Sequence, residues 1–124
     1  MPVKVVDASA IAAVLFGEPD AERVVEQIGD GTLAAPALLP FEVSSVCLTK
    51  VRRHPAQRAE LVRALDRLED LRVAQVAVDP SEVVRVAERE RLSAYDAAYL
   101  WLAIELGAEL VTLDRRLAAA AARV

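Results

Sequence analysis

An α/β domain, with a mostly parallel sheet between two layers of helices, is the fold class this sequence predicts. Three observations point to it. Short β-branched or apolar runs alternate with longer stretches of helical composition. Chains of that pattern form parallel sheets covered by helices on both faces. Four acids, Asp7, Glu42, Asp96 and Asp114, each fall where a strand or its following loop gives way to a helix. At 124 residues the chain is long enough for one domain with a real core, taken as residues 1–124. It contains no internal repeat, low-complexity linker or composition break.

The elements follow in order. Val3 to Val6 is a β-branched run ending in Asp7 and reads as a buried first strand. Ser9 to Phe16 is helical in composition, and Gly17 is placed to end it. Glu18-Pro19-Asp20 restarts the chain into a second helix running to about Ile28. Gly29-Asp30-Gly31 is a turn. Thr32 to Ala35 gives a brief second strand. Pro36 to Pro40 leads into a third helix with Val43, Val46, Cys47 and Val51 on one face. Pro55 separates it from a fourth, with Leu61, Leu65 and Leu68 as its apolar stripe. Val73 to Val78 is the third strand, and Pro80 opens a fifth helix as proline commonly does. Ser93-Ala94-Tyr95-Asp96 precedes eight consecutive apolar residues, Ala97 to Ile104, the pattern of a buried helix. Gly107 ends it, Glu109 to Thr112 is the fourth strand, and Asp114 starts the last helix.

Composition narrows the function classes. The chain is 55% hydrophobic, which excludes disorder, and its net charge of −4 argues against a generic electrostatic nucleic-acid binder. An acidic metal site would itself contribute negative charge, so a nuclease stays open. Arg outnumbers Lys 13 to 2; arginine suits bidentate phosphate contacts, and genomic bias explains the ratio equally well. A single cysteine allows no internal disulfide and points to the cytoplasm. MPVKVVDAS lacks the signature of a signal peptide, and no apolar run approaches a membrane span.

Each of the four acids has an ordinary reading. Asp7 and Asp114 suit N-caps, and Asp96 follows Ser93 as in a variant capping box. Glu42 sits in a first helical turn, where negative charge is favoured. Asp79 is a control: it too follows a strand, and Pro80 makes it a plain N-cap. Together, the four say more. Junctions of this kind share the edge outside the carboxyl ends of parallel strands, where ligands bind. Carboxylates gathered there repel unless protonated or bridged by a cation. A hard divalent metal that prefers oxygen ligands, Mg²⁺ or Mn²⁺, fits them. Arg115 and Arg116 start at the same edge and, were the ligand a nucleic acid such as RNA, are the candidates for contact with it. Arg52, Arg53 and Arg58 read as solvated helix surface.

V-V-D-A-S at 5–9, P-x-x-x-x-x-E from Pro36 to Glu42, Y-D-A-A-Y at 95–99 and L-V-T-L-D-R-R-L at 110–117 stand in one order along the chain. In this the sequence resembles the PIN-domain ribonucleases, most closely the VapC toxins of bacterial toxin–antitoxin pairs. The resemblance implies a three-layer PIN-like fold whose sheet has four or five strands, the fifth lying beyond the last helix. It implies a metal-dependent endoribonuclease that leaves a 5′-phosphate and a 3′-hydroxyl. Asp7, Glu42, Asp96 and Asp114 would be the metal-binding and catalytic acids, and Ser9 and Thr112 would support them by hydrogen bonding. It also implies a small VapB-like antitoxin as partner, and a homodimer for which the apolar helices near 43–68 offer a surface.

Other readings fare less well. A phosphoacceptor receiver domain needs a late lysine and an acid pair after the first strand; no lysine follows Lys50, and Ala8-Ser9 follow Asp7. A haloacid-dehalogenase-type phosphatase needs an acid where Ser9 stands. A catalytically silent interaction module is the main alternative. Cys47 and His54 lie seven residues apart, about 10 Å along a helix, too far for a thiol–imidazole pair. Cys47 reads as core and His54 as a surface residue at a helix end. Tyr99 and Trp101 read as core packing, while Tyr95 suits either packing or base stacking.

Overall fold

The computed structural model describes residues 2–124. Four strands, β1 (Val3–Val6), β2 (Thr32–Pro36), β3 (Ala74–Val76) and β4 (Glu109–Val111), form one sheet in the order β3-β2-β1-β4. All pairings are parallel, with Val5 opposite both Ala34 and Leu110. Seven α-helices lie among the described residues: α1 (Ala8–Leu15), α2 (Ala21–Ile28), α3 (Leu39–Arg53), α4 (Arg58–Asp66), α5 (Pro80–Glu90), α6 (Ala94–Leu106) and α7 (Arg115–Arg123).

The strand order sets where a site can form. The chain steps from β1 to β2 to β3 in one direction, then jumps back past β1 to β4. Parallel crossovers are almost always right-handed, so the reversal puts α1 to α4 on one face and α5 and α6 on the other. The crevice of such a sheet opens where the direction reverses, here between the carboxyl ends of β1 and β4.

The core is built from small and medium side chains. Val5, Val6, Ala35 and Val111 fill the middle of the sheet. Helix α6 lies across β1, β2 and β4, burying Ala97, Ala98, Tyr99, Leu100, Leu102 and Ala103. The apolar run is therefore a buried helix, as its composition demands. Two residues escape. Ile104 is exposed, and Trp101 is only half-buried, with its indole N–H donating to Glu82 Oε2 at 3.3 Å. Ser93 caps α6 by accepting the Asp96 N–H at 3.1 Å, and Gly107 ends it at φ +57°. Gly31 is required by space: a Cβ there would lie 2.7 Å from Lys4 Cγ and 3.1 Å from the Pro2 carbonyl.

Two expectations change in detail. Strand β3 is shorter than Val73 to Val78, because it is an edge strand paired only with β2. Helix α4 stops at Asp66, so Leu68 lies in a 3₁₀ turn (Arg67–Leu71) that ends at Arg72 in the left-handed region. The sheet has four strands among the described residues, the smaller of the two numbers expected. Of the apolar residues in the 43–68 stretch, Val43 and Cys47 are buried within the chain, Leu61, Leu65 and Leu68 are half-buried, and Leu48 is exposed. Among the described residues, no helix is long and apolar enough to cross a membrane.

Asp79 behaves as a plain cap, accepting the Glu82 N–H at 3.2 Å with Pro80 at the first helical position. Asp79→Ala should cost about 1 kcal/mol in urea unfolding and leave metal binding unchanged. Weakened metal binding in that variant would instead place Asp79 in the site.

Candidate active site

The site is assembled from the crevice outward, starting with Asp7. Its backbone continues the ladder, donating to the Val111 carbonyl at 3.2 Å. Its carboxylate turns inward and is only 5% exposed, the one buried charged side chain among the described residues. Oδ1 accepts the Ala10 N–H at 3.0 Å, capping α1, and the Ser9 hydroxyl at 2.7 Å. Oδ2 accepts the Thr112 hydroxyl at 2.5 Å from across the crevice. The two hydroxyls in turn receive backbone donors from the β4–α7 loop. Ser9 Oγ accepts the Leu113 N–H at 2.9 Å, and Thr112 Oγ1 accepts the Asp114 N–H at 3.0 Å. Each hydroxyl has one proton and gives it to Asp7. The 3.4 Å approach of Ser9 to Thr112 is thus a contact of neighbours, not a further bond.

The other acids arrive from three helix starts. Asp114 caps α7, its Oδ1 accepting the Leu117 N–H at 2.9 Å. Glu42 stands in the first turn of α3, half-buried, and its Oε1 accepts the Tyr99 hydroxyl at 2.6 Å. Asp96 stands in the first turn of α6, its backbone fixed by Ser93.

Their protonation equilibria report how close they stand. Burial pushes the Asp7 carboxyl above its ordinary value of 3.8; the bonds from Thr112, Ser9 and Ala10 oppose this, and Asp114 adds to it. Burial also raises Glu42, with Tyr99 opposing and Asp96 and Asp7 adding. Asp96 is raised by burial, then by Asp114 and Asp7, while Ser93 and the Arg116 guanidinium draw it down. The Tyr99 phenol is driven far upward by burial and by its bond to Glu42, so it stays a donor. Asp7 and Asp96 thus both feel Asp114, Glu42 feels Asp7 and Asp96, and none of the four acids has an ion-pair partner among the described residues.

The donors suit a hard cation. Every candidate ligand atom is a carboxylate oxygen, and the excess negative charge is what a divalent ion would neutralise. Among the described residues, however, no three His, Cys, Asp or Glu side chains stand close enough together to hold a metal ion. Unscreened carboxylates repel at ligating distance, so an open ring is the arrangement expected of the chain by itself.

The remaining sequence candidates separate cleanly. Ser9 and Thr112 both bond to Asp7. Arg115 is exposed beside Asp114, whereas Arg116 donates to the Arg91 carbonyl at 3.0 Å and stands near enough to Asp96 to draw its carboxyl down. Tyr95 is 65% exposed next to Asp96. Cys47 is buried with its thiol raised by desolvation, and His54 is an exposed residue at the end of α3. Tyr99 is a core residue as expected, but its hydroxyl also holds Glu42, a role the sequence reading missed. The available signal was its place three residues after Asp96, one turn along the same helix face.

Comparison with known proteins identifies the family of the chain. The PIN domain family model matches residues 4–123. Ribonuclease VapC3 of Pyrobaculum aerophilum is 36% identical over 121 residues, covering 92% of this chain and 91% of the relative. Ribonuclease VapC9 of Mycobacterium tuberculosis is 37% identical over 114 residues, covering 91% and 87%. The crystal structure of PAE2754 from Pyrobaculum aerophilum superposes with a TM-score of 0.76 at 29% identity, over 96% of this chain and 86% of that one. With its family model matched almost end to end, and with VapC relatives above one-third identity, the chain belongs to the PIN-domain family, in its VapC ribonuclease group.

Proposed function

We propose that this protein is a Mg²⁺- or Mn²⁺-dependent endoribonuclease and the toxin of a VapBC-type toxin–antitoxin pair. The observation that carries the reading is the gathering of Asp7, Glu42, Asp96 and Asp114 at the crevice, where neighbouring acids add to the burial that raises Asp7, Glu42 and Asp96 and none of the four has an ion-pair partner among the described residues. The naming of its relatives as VapC ribonucleases supplies the substrate class. A VapB-like antitoxin, a homodimeric state and a cytoplasmic location belong to the same reading.

Asp7 and Asp96 would be the principal ligands, with Glu42 and Asp114 completing the shell or orienting water. A divalent ion held there supplies Lewis acidity at a phosphoryl oxygen and a nucleophilic water at neutral pH. The chain's own residues do the positioning. Ser9 and Thr112 keep both oxygens of Asp7 in one plane and one orientation. Tyr99 keeps Glu42 turned toward the crevice, and the Leu117 N–H fixes Asp114. Ligands fixed this way bind without first losing rotamer freedom, and removing such supporting partners typically costs 10- to 100-fold in metal affinity or activity.

Three outcomes are expected. In calorimetry, Mn²⁺ binds saturably to the wild type, and Asp96→Asn weakens binding at least about tenfold; equal binding by both would return the acids to plain caps and favour the silent interaction module. Tyr99→Phe and Thr112→Val should each lower Mn²⁺-dependent RNA cleavage about 10- to 100-fold, while circular dichroism shows the fold retained. Full activity in both would mean the two hydroxyls do not position the site.

The third concerns pH. Asp7, Glu42 and Asp96 have folded values raised above the ordinary 3.8 for Asp and 4.5 for Glu. The folded chain therefore holds protons more tightly than the unfolded one between those values. Stability of the chelator-treated protein gains from these groups as pH falls through the raised values, with the gain complete below the ordinary ones. Mn²⁺ competes with those protons, so its affinity falls over the same window. Thermal unfolding against pH should be flatter for Asp96→Asn than for the wild type; parallel curves would contradict the assignment.

A further inference from the structure

Next to the acid ring lies a cleft of about 390 Å³ lined by Arg23, Gln27, Thr112, Leu113, Asp114 and Arg115, with Ala118 at its edge. It runs between α2 and the loop joining β4 to α7. Two of its walls, Thr112 and Asp114, belong to the site already described. The other polar groups are of opposite character: two guanidinium groups and a carboxamide, from helices far apart in sequence.

We infer that this cleft holds a backbone phosphate of the RNA next to the one being cleaved, with Arg23 and Arg115 as its ligands. The inference deepens the nuclease reading and rests on it. Four observations carry it. The cleft shares a wall with the acid ring, so a strand that places one phosphate at the acids brings a neighbouring phosphate to it. Both guanidinium groups line the cleft and present planar donors suited to a phosphate. Arg23 is only weakly engaged: its contact with Asp20 is an exposed pair at 3.5 Å within one helix, with the arginine side chain 67% exposed. Exposed pairs of that kind are easily exchanged. Arg116 lies outside the cleft, with its guanidinium on the Arg91 carbonyl. The geometry thus separates two adjacent arginines that sequence alone left equivalent, and adds Arg23, which the sequence did not single out.

The net charge of −4 makes such a cleft necessary for productive binding. An acid ring repels RNA until a cation occupies it, and even then one cationic centre gives the strand no direction. A second anchor on one side fixes which way the strand runs past the acids. Gln27 contributes less, since its amide already reaches Glu109 at 3.5 Å.

The test uses a fluorescein-labelled, mixed-sequence single-stranded RNA, read by anisotropy across a salt series, with Mn²⁺-dependent cleavage of the same RNA followed separately. Arg23→Ala and Arg115→Ala should each weaken binding about five- to tenfold and make the salt slope shallower by about 0.7, the value for one lost contact on a single strand. KM should rise with kcat nearly unchanged, Mn²⁺ affinity should hold, and Arg23→Lys should recover most of the loss. Arg116→Ala should leave the slope closer to wild type. Wild-type cleavage with an unchanged slope in Arg23→Ala and Arg115→Ala would overturn the cleft and leave the nuclease standing. A wild type that binds Mn²⁺ yet neither binds nor cleaves RNA would overturn both.

Discussion

A carboxylate taken out of water must be surrounded by donors or it will not stay charged. Asp7 is that carboxylate, and its burial constrains much of the site. Its three donors come from two places: Ala10 and Ser9 in the first turn of α1, and Thr112 beyond β4. Because Ser9 and Thr112 each spend their one proton on Asp7, they have only lone pairs left, and these take up the N–H groups of Leu113 and Asp114. A single desolvated group therefore sets the path of the β4–α7 loop. That path in turn places Asp114 where it can cap α7 and face the ring. The strand order supplies the occasion, since only at the reversal between β1 and β4 do these segments meet.

The opposite wall is organised by a second buried donor. Tyr99 is almost completely enclosed in α6, and its phenol must find an acceptor. Glu42, half-buried at the start of α3, is that acceptor. Packing and chemistry are thus coupled through one side chain: the ring fills the core, and the hydroxyl aims a candidate ligand. The cost falls on charge. Donors around Asp7 and Glu42 hold them in place, but burial first and neighbouring acids second still push the Asp7, Glu42 and Asp96 carboxyls upward.

Much of this was legible beforehand, for identifiable reasons. The buried α6 announced itself as eight apolar residues in a row, and Gly107 and Ser93 marked its ends because the left-handed turn and the cap leave chemical signatures. The four acids were legible because parallel sheets bring such junctions to one edge. What escaped depended on contacts between distant segments. The length of β3 is set by what β2 offers it, which its own residues do not encode. The partnership of Tyr99 with Glu42 spans 57 positions, and an apolar neighbourhood made the ring look like packing alone. Arg115 and Arg116 differ only in which side of α7 they leave from. Arg23 reaches the site from a helix that carries no motif.

The competition between cap and ligand, which seemed to divide the readings of these acids, resolves when lone pairs are counted. A carboxylate offers about four acceptor sites. Asp79 and Asp114 each use one on a backbone N–H of their helix. Glu42 uses one on Tyr99, and Asp7, the most engaged, uses three. Capping fixes the orientation of a side chain without exhausting it, so a cap is a good place to build a ligand. What separates Asp114 from Asp79 is the company its unused oxygen keeps. Asp79 is exposed at the start of α5, while Asp114 stands near Asp7 and Asp96 and adds to the upward push that burial gives their carboxyls. Convergence of partly used carboxylates, rather than any single position at a strand end, is what distinguishes these acids from the plain cap at Asp79.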